Sequence, residues 1–136
     1  MVQNKSVTPP AVKPGRYMFL VLGMHRSGTS ALTGLLHHVG CRFPKQVMGT
    51  SEANPQGYFE GKAFYEFNVK LLRSAGTTWN DWRPIKPSWL ASPLGKAQLS
   101  EARDVLVEEF GHSPLVVLKD PRICRMVPFW TEAAAL

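Results

Sequence analysis

A chain of 136 residues, 44% apolar and 19% charged, has the length and composition of one globular domain, which excludes a disordered or fibrous protein. Its net charge of +6 sits in one place: Lys5, Lys13, Arg16, Arg26, Arg42 and Lys45 fall within residues 1–51, which contain no Asp or Glu, and the bases and acids beyond them cancel. That concentration points to a local anion-binding region and not to a generally basic surface. No basic patch interleaved with stacking aromatics is present, so a nucleic-acid partner is not expected. Cys41 and Cys124 stand far apart without a CxxC companion, which gives no zinc set and suits a reducing, cytoplasmic setting. The apolar run Tyr17–Met24 falls well short of the roughly 20 residues that cross a bilayer, and Pro9, Pro10 and Pro14 interrupt any leader-like order before it. No membrane partner is expected.

In chain order, residues 1–16 read as a flexible, basic, proline-rich tail, and residues 17–136 as the domain. Tyr17–Gly23 reads as a strand buried on both faces, as in a parallel sheet. A short turn leads into a helix over Thr29–Val39, which Gly40 stops. Residues 41–58 read as a loop. A second helix is predicted over Phe59–Ala75, with Phe64, Phe67, Leu71 and Leu72 near one face. Residues 76–95 carry Trp79, Trp82 and Trp89 among three prolines and read as irregular. A third helix spans Lys96–Phe110, with Leu99, Ala102, Leu106 and Phe110 on one side. Leu115–Leu118 is a short buried strand ending in Lys119-Asp120-Pro121, and a last helix covers Ile123–Ala135. Strand, loop, helix and strand again imply an α/β protein with a parallel sheet. Two strands alone do not hold a sheet, so either other segments add strands or the domain is incomplete.

The strongest local signal is Gly23-Met24-His25-Arg26-Ser27-Gly28-Thr29-Ser30, placed after a buried strand and opening a helix. There the amides of Ser27, Gly28, Thr29 and Ser30 would converge on an anion, reinforced by the helix N-terminus and by hydroxyl donors. Gly28 allows close approach, and Arg26 adds a full charge on a forked donor. The nucleoside-triphosphate loop G-x-x-x-x-G-K-[ST] needs a lysine where this chain has Thr29. In LVVLKD, Lys119 lies beside the acid that would hold a metal. Both features argue against an ATPase or GTPase.

GMHRSGTSALTGLL resembles the 5′-phosphosulfate-binding loop of the sulfotransferase family, P-[KR]-[ST]-G-T-[TS], with His25 where proline is commonest. The resemblance continues through NPQGYFE at 54–60, FN at 67–68, the tryptophan-rich segment and LKDPR at 118–122, the arrangement of bacterial sulfotransferase-family proteins. It implies a P-loop-like sulfotransferase fold of parallel-sheet α/β type. It also implies transfer of a sulfuryl group from 3′-phosphoadenosine 5′-phosphosulfate, without a metal, to a small-molecule or glycan acceptor through a hydroxyl or amine. The cofactor-binding residues would be His25, Arg26, Ser27, Gly28, Thr29 and Ser30. Glu60 would be the catalytic base and Lys119 the stabiliser of the bridging oxygen and the sulfuryl group. Glu66 reads as solvent-facing, and Asp120 and Arg122 as a supporting pair. Pro121 replaces the histidine used by cytosolic members. His37 and His38 are adjacent and make no metal pair. The family's 3′-phosphate element has no counterpart in the chain, so an N-terminal portion of such a domain is expected, open to self-association through an unpaired sheet edge. A degenerate P-loop kinase and a non-catalytic phosphate-binding remnant are the alternatives.

Overall fold

The computed structural model describes residues 15–52, 55 and 57–135. Most of the tail, together with Asn54 and Gln56 of NPQGYFE, lies outside them. Two strands, β1 (Tyr17–Val21) and β2 (Leu115–Lys119), combine with five helices in a mixed α/β fold: α1 (Thr29–His38), α2 (Lys62–Ser74), α3 (Pro87–Leu90), α4 (Pro93–Phe110) and α5 (Val127–Ala134). A 3-10 segment, Pro121–Arg125, joins β2 to α5.

The strands run parallel, in register from Tyr17 beside Leu115 to Val21 beside Lys119. On the other side of β2, Arg42 forms a single bridge, its N–H donating to the Leu115 carbonyl at 2.9 Å and its carbonyl accepting from Val117 at 3.0 Å. The loop after α1 therefore touches the sheet once.

Alternation of side chains along the strands splits the sheet into two faces. Met18, Leu20, Val116 and Leu118 join the larger core, where the apolar faces of α2 and α4 meet Phe129 and Trp130 of α5. The expected face of α2 (Phe64, Phe67, Leu71 and Leu72) is buried there, and Ala102, Leu106 and Phe110 of α4 lie opposite it. Val21 and Val117, with Cys41, Leu36 and Phe43, form a smaller core beneath α1. Lys119 has the parity of Val117, so β2 ends with its ammonium directed to the α1 side of the sheet.

Several boundaries differ from the sequence reading, each for a local reason. β1 is not buried on both faces: Tyr17 and Phe19 are exposed, because the small core under α1 reaches only Val21, and among the described residues β1 pairs with β2 alone. α2 begins at Lys62 and not Phe59, since Phe59 has a φ of +53° and Gly61 is extended. α4 begins at Pro93, where the Ser92 hydroxyl accepts from the Gly95 N–H at 3.1 Å and a proline at the first position gives up no needed donor. The last helix is broken at Met126, whose φ of −128° separates the 3-10 segment from α5. Among the described residues no helix is long and apolar enough to cross a membrane.

Candidate functional site

At the C-terminal end of the sheet a cleft of about 410 Å³ is lined by His25, Arg26, Gly28, Thr29 and Ser30 from the loop, and by Tyr58, Glu60 and Lys119 from below. Three segments far apart in sequence meet there. Strand ends in α/β sheets direct ligands to this position.

The upper wall follows from the loop's conformation. Gly28 caps α1 at φ +83°, a left-handed geometry that glycine adopts without penalty. A side chain at Gly23 would come within 2.5 Å of the Thr29 methyl and 2.6 Å of the Ser27 hydroxyl, so the turn closes only with glycine there. Arg26 also has a positive φ, +62°, a conformation costing a non-glycine residue about 1–3 kcal/mol. No side chain caps α1. Among the described residues the amides of Gly28, Thr29 and Ser30 have no backbone acceptor outside the helix, leaving first-turn donors at the positive end of the helix dipole. Ser27 departs from the expected convergence: its N–H donates to the Met24 carbonyl at 3.3 Å and its hydroxyl to the same oxygen at 2.6 Å. It braces the turn.

The floor is a buried ion pair. Lys119 Nζ donates to Glu60 Oε1 at 2.7 Å and to the Tyr58 carbonyl at 2.9 Å, and both charged side chains are only 5% exposed. Phe59, in its left-handed conformation, turns the chain so that the carbonyl before it and the carboxylate after it reach one ammonium. The Ser30 hydroxyl donates to the same Tyr58 carbonyl at 3.4 Å, tying α1 to this segment. Glu60 precedes α2 and is not its first-turn carboxylate.

A second layer holds the floor. Arg122 Nη1 lies 3.8 Å from Glu60 Oε2 and donates to Asp120 Oδ1 at 2.8 Å, its guanidinium resting 4.3 Å from the centre of the Tyr65 ring. Asp120 also accepts from the Arg122 N–H at 2.8 Å and from Asn68 Nδ2 at 2.9 Å. Asn68 in turn accepts from Trp130 Nε1 at 3.0 Å. A polar chain thus runs from the centre of the large core to the cleft, with Asn68 as its middle link. Sequence reasoning paired Asp120 with Arg122 but gave Asn68 no role: it stood only in the FN pair of the resemblance and as a polar residue on the apolar face of α2. Under the loop, the Gly23 N–H donates to Cys124 Sγ at 3.1 Å.

Other residues fall away from the site. Arg26 alone of the described bases in residues 15–51 lines the cleft; Arg42 and Lys45 line a separate one with His112, so the basic excess is not a single region. His37 Nδ1 donates to the Cys41 carbonyl, 3.0 Å away, and the ring stacks on Phe43. Glu66 is exposed, 4.0 Å from Lys62. The tryptophans diverge: Trp89 packs against the core and donates to the Ser74 carbonyl, Trp82 is 90% exposed, and Trp79 stands edge-on to His25 with ring centres 5.3 Å apart.

No family model, curated protein or solved structure matches this chain.

Proposed function

We propose that the chain binds 3′-phosphoadenosine 5′-phosphosulfate and belongs to a sulfotransferase that moves the sulfuryl group to an acceptor hydroxyl or amine. The observation that carries this reading is the meeting of the anion-competent loop with Glu60 and Lys119 around one cleft. Open amides at the α1 N-terminus and the Arg26 guanidinium suit the 5′-phosphosulfate. The acceptor oxygen attacks sulfur and forms the new S–O bond while the bond from sulfur to the bridging oxygen breaks. The acceptor proton passes to the Glu60 carboxylate, and adenosine 3′,5′-bisphosphate leaves. Lys119, beside Glu60, meets the charge that develops on the bridging oxygen. For both to act, Lys119 must exchange part of its contact with Glu60 for the donor, so binding of the anion readies the base.

The kinase alternative is less well supported. Thr29 lacks the phosphate-reaching ammonium, and Asp120 is engaged by Arg122 and Asn68, where that chemistry wants a carboxylate open to Mg²⁺. Thermal unfolding discriminates. Adenosine 3′,5′-bisphosphate without Mg²⁺ is expected to raise the melting temperature, and preferential stabilisation by Mg²⁺-ATP would refute the proposal. Arg26→Ala is expected to weaken the bisphosphate by about 1.5–3 kcal/mol, roughly ten- to a hundredfold by calorimetry. Unchanged affinity would mean that Arg26 does not meet the anion.

A further inference from the structure

Lys119 cannot serve a ligand and keep Glu60 unaided. Its ammonium makes the one hydrogen bond to the Glu60 carboxylate among the described residues, 2.7 Å to Oε1, and both side chains are 5% exposed. A buried carboxylate that lost this partner without a replacement would stand desolvated and uncompensated. We propose that Arg122 is the replacement: when an anion in the cleft draws Lys119 toward itself, the Arg122 guanidinium passes from Asp120 to Glu60 Oε2 and holds the carboxylate in place. Arg122 is then a positioning residue. The inference rests on the sulfuryl-transfer reading, whose base it keeps in position.

Three observations carry it. The guanidinium already stands between the two carboxylates: Nη1 is 2.8 Å from Asp120 Oδ1 and 3.8 Å from Glu60 Oε2, so a movement of about 1 Å turns the longer contact into a hydrogen bond. Asp120 can release it. Its carboxylate keeps the Arg122 backbone N–H at 2.8 Å and Asn68 Nδ2 at 2.9 Å, and Asn68 is itself fixed by Trp130. Two carboxylates thus share one guanidinium, and among the described residues only Glu60 lacks fixed donors of its own. Arg122 also has donor capacity in reserve. Its Nε is buried with no partner among the described residues, whereas a guanidinium paired fork to fork with a carboxylate engages two N–H groups.

The surroundings favour a small displacement over a large one. The Tyr65 ring lies 4.3 Å from the guanidinium, a face on which the cation can shift without leaving its aromatic contact. Lys119 keeps the Tyr58 carbonyl, 2.9 Å away, as it turns. Arg122 does not line the cleft and is only 10% exposed. A ligand in the cleft therefore acts on it through Lys119 and Glu60 and not by contact.

The test uses the whole chain and calorimetry with adenosine 3′,5′-bisphosphate, whose 5′-phosphate carries the oxygen that Lys119 would meet. Arg122→Met is expected to weaken it about tenfold. In a chain that already carries Glu60→Gln, the same change is expected to cost less than about twofold, because no buried carboxylate then needs holding. A residue that only supports the fold would cost the same in both backgrounds; that result, or unchanged affinity in Arg122→Met alone, would overturn the exchange. Should Arg122→Met fail to fold, the Arg122 Nε–H resonance of the unsubstituted chain, assigned by correlation along its own side chain, is expected to move at saturation with the bisphosphate and to stay in Lys119→Met. A resonance that stays while the Gly28, Thr29 and Ser30 amides shift would also overturn the exchange. Movement of that resonance with inorganic phosphate, in a chain that does not bind the bisphosphate, would support the exchange and remove the transfer reading beneath it. A chain that binds neither anion would remove both.

Discussion

Replacing Lys119 with methionine tests the floor of the cleft. The change removes a charge that is 5% exposed, together with its bonds to Glu60 and the Tyr58 carbonyl. Breaking one side of a buried ion pair costs about 3–5 kcal/mol, because the remaining charge stays desolvated. Here Arg122, 3.8 Å from the other carboxylate oxygen, retains part of the compensation, and the Ser30 hydroxyl still reaches the Tyr58 carbonyl. The expected loss is therefore smaller, about 2–4 kcal/mol. Adding Glu60→Leu removes both charges and leaves Arg122 on Asp120, so the double variant is expected to recover at least half of that loss. Urea unfolding at neutral pH, followed by tryptophan fluorescence and compared at constant m, measures both. A cost for Lys119→Met below about 0.5 kcal/mol, the level of an ordinary surface change, would refute the buried pair. A double variant no more stable than the sum of the two singles would refute the coupling.

Two further outcomes follow from the titrating groups. Burial pushes the Cys41 thiol up, so alkylation of the native chain at neutral pH is expected to mark Cys124 well before Cys41, read by peptide mass spectrometry; equal rates would contradict the packing under α1. The hydrogen bonds from Arg83, with a smaller one from Thr77, hold the Asp81 carboxyl well below the usual carboxylate range. Its contribution is therefore present above the unfolded value of about 3.9 and lost as the pH falls toward the depressed one. Acidification below about pH 4 is expected to loosen residues 77–83, seen as a shift of the Trp79 indole resonance, and Asp81→Asn to remove that dependence.

The sequence by itself determined most of the elements and the glycine positions of the loop. Periodicity placed the apolar faces of α2 and α4, because burial of a helical stripe is written into residue spacing. The strand, the short glycine-bounded turn and the helix start at Thr29 were legible because left-handed and close-approach positions admit few residues besides glycine. Glu60 and Lys119 were singled out one at a time, by the family resemblance and, for Lys119, by its place at a strand end. That they share one ion pair was decided by the tertiary structure, through the turn at Phe59 and the parity of β2. The role of Asn68, seen in sequence only within the FN pair, was hidden for the same reason: a polar residue in an apolar stripe has no stated function until Asp120 and Trp130 arrive on either side. The three tryptophans of residues 76–95 looked alike in sequence, and only packing separated Trp89 in the core from Trp82 in solvent and Trp79 against His25. The basic first third looked like one anion site because sequence distance stood in for spatial distance; the fold sends Arg26 to the cleft and Arg42 and Lys45 to another surface. Local geometry is encoded in neighbouring residues, whereas partners 50 to 60 residues apart, as Lys119 is from Glu60 and Asp120 from Asn68, are chosen by how the helices pack on the sheet.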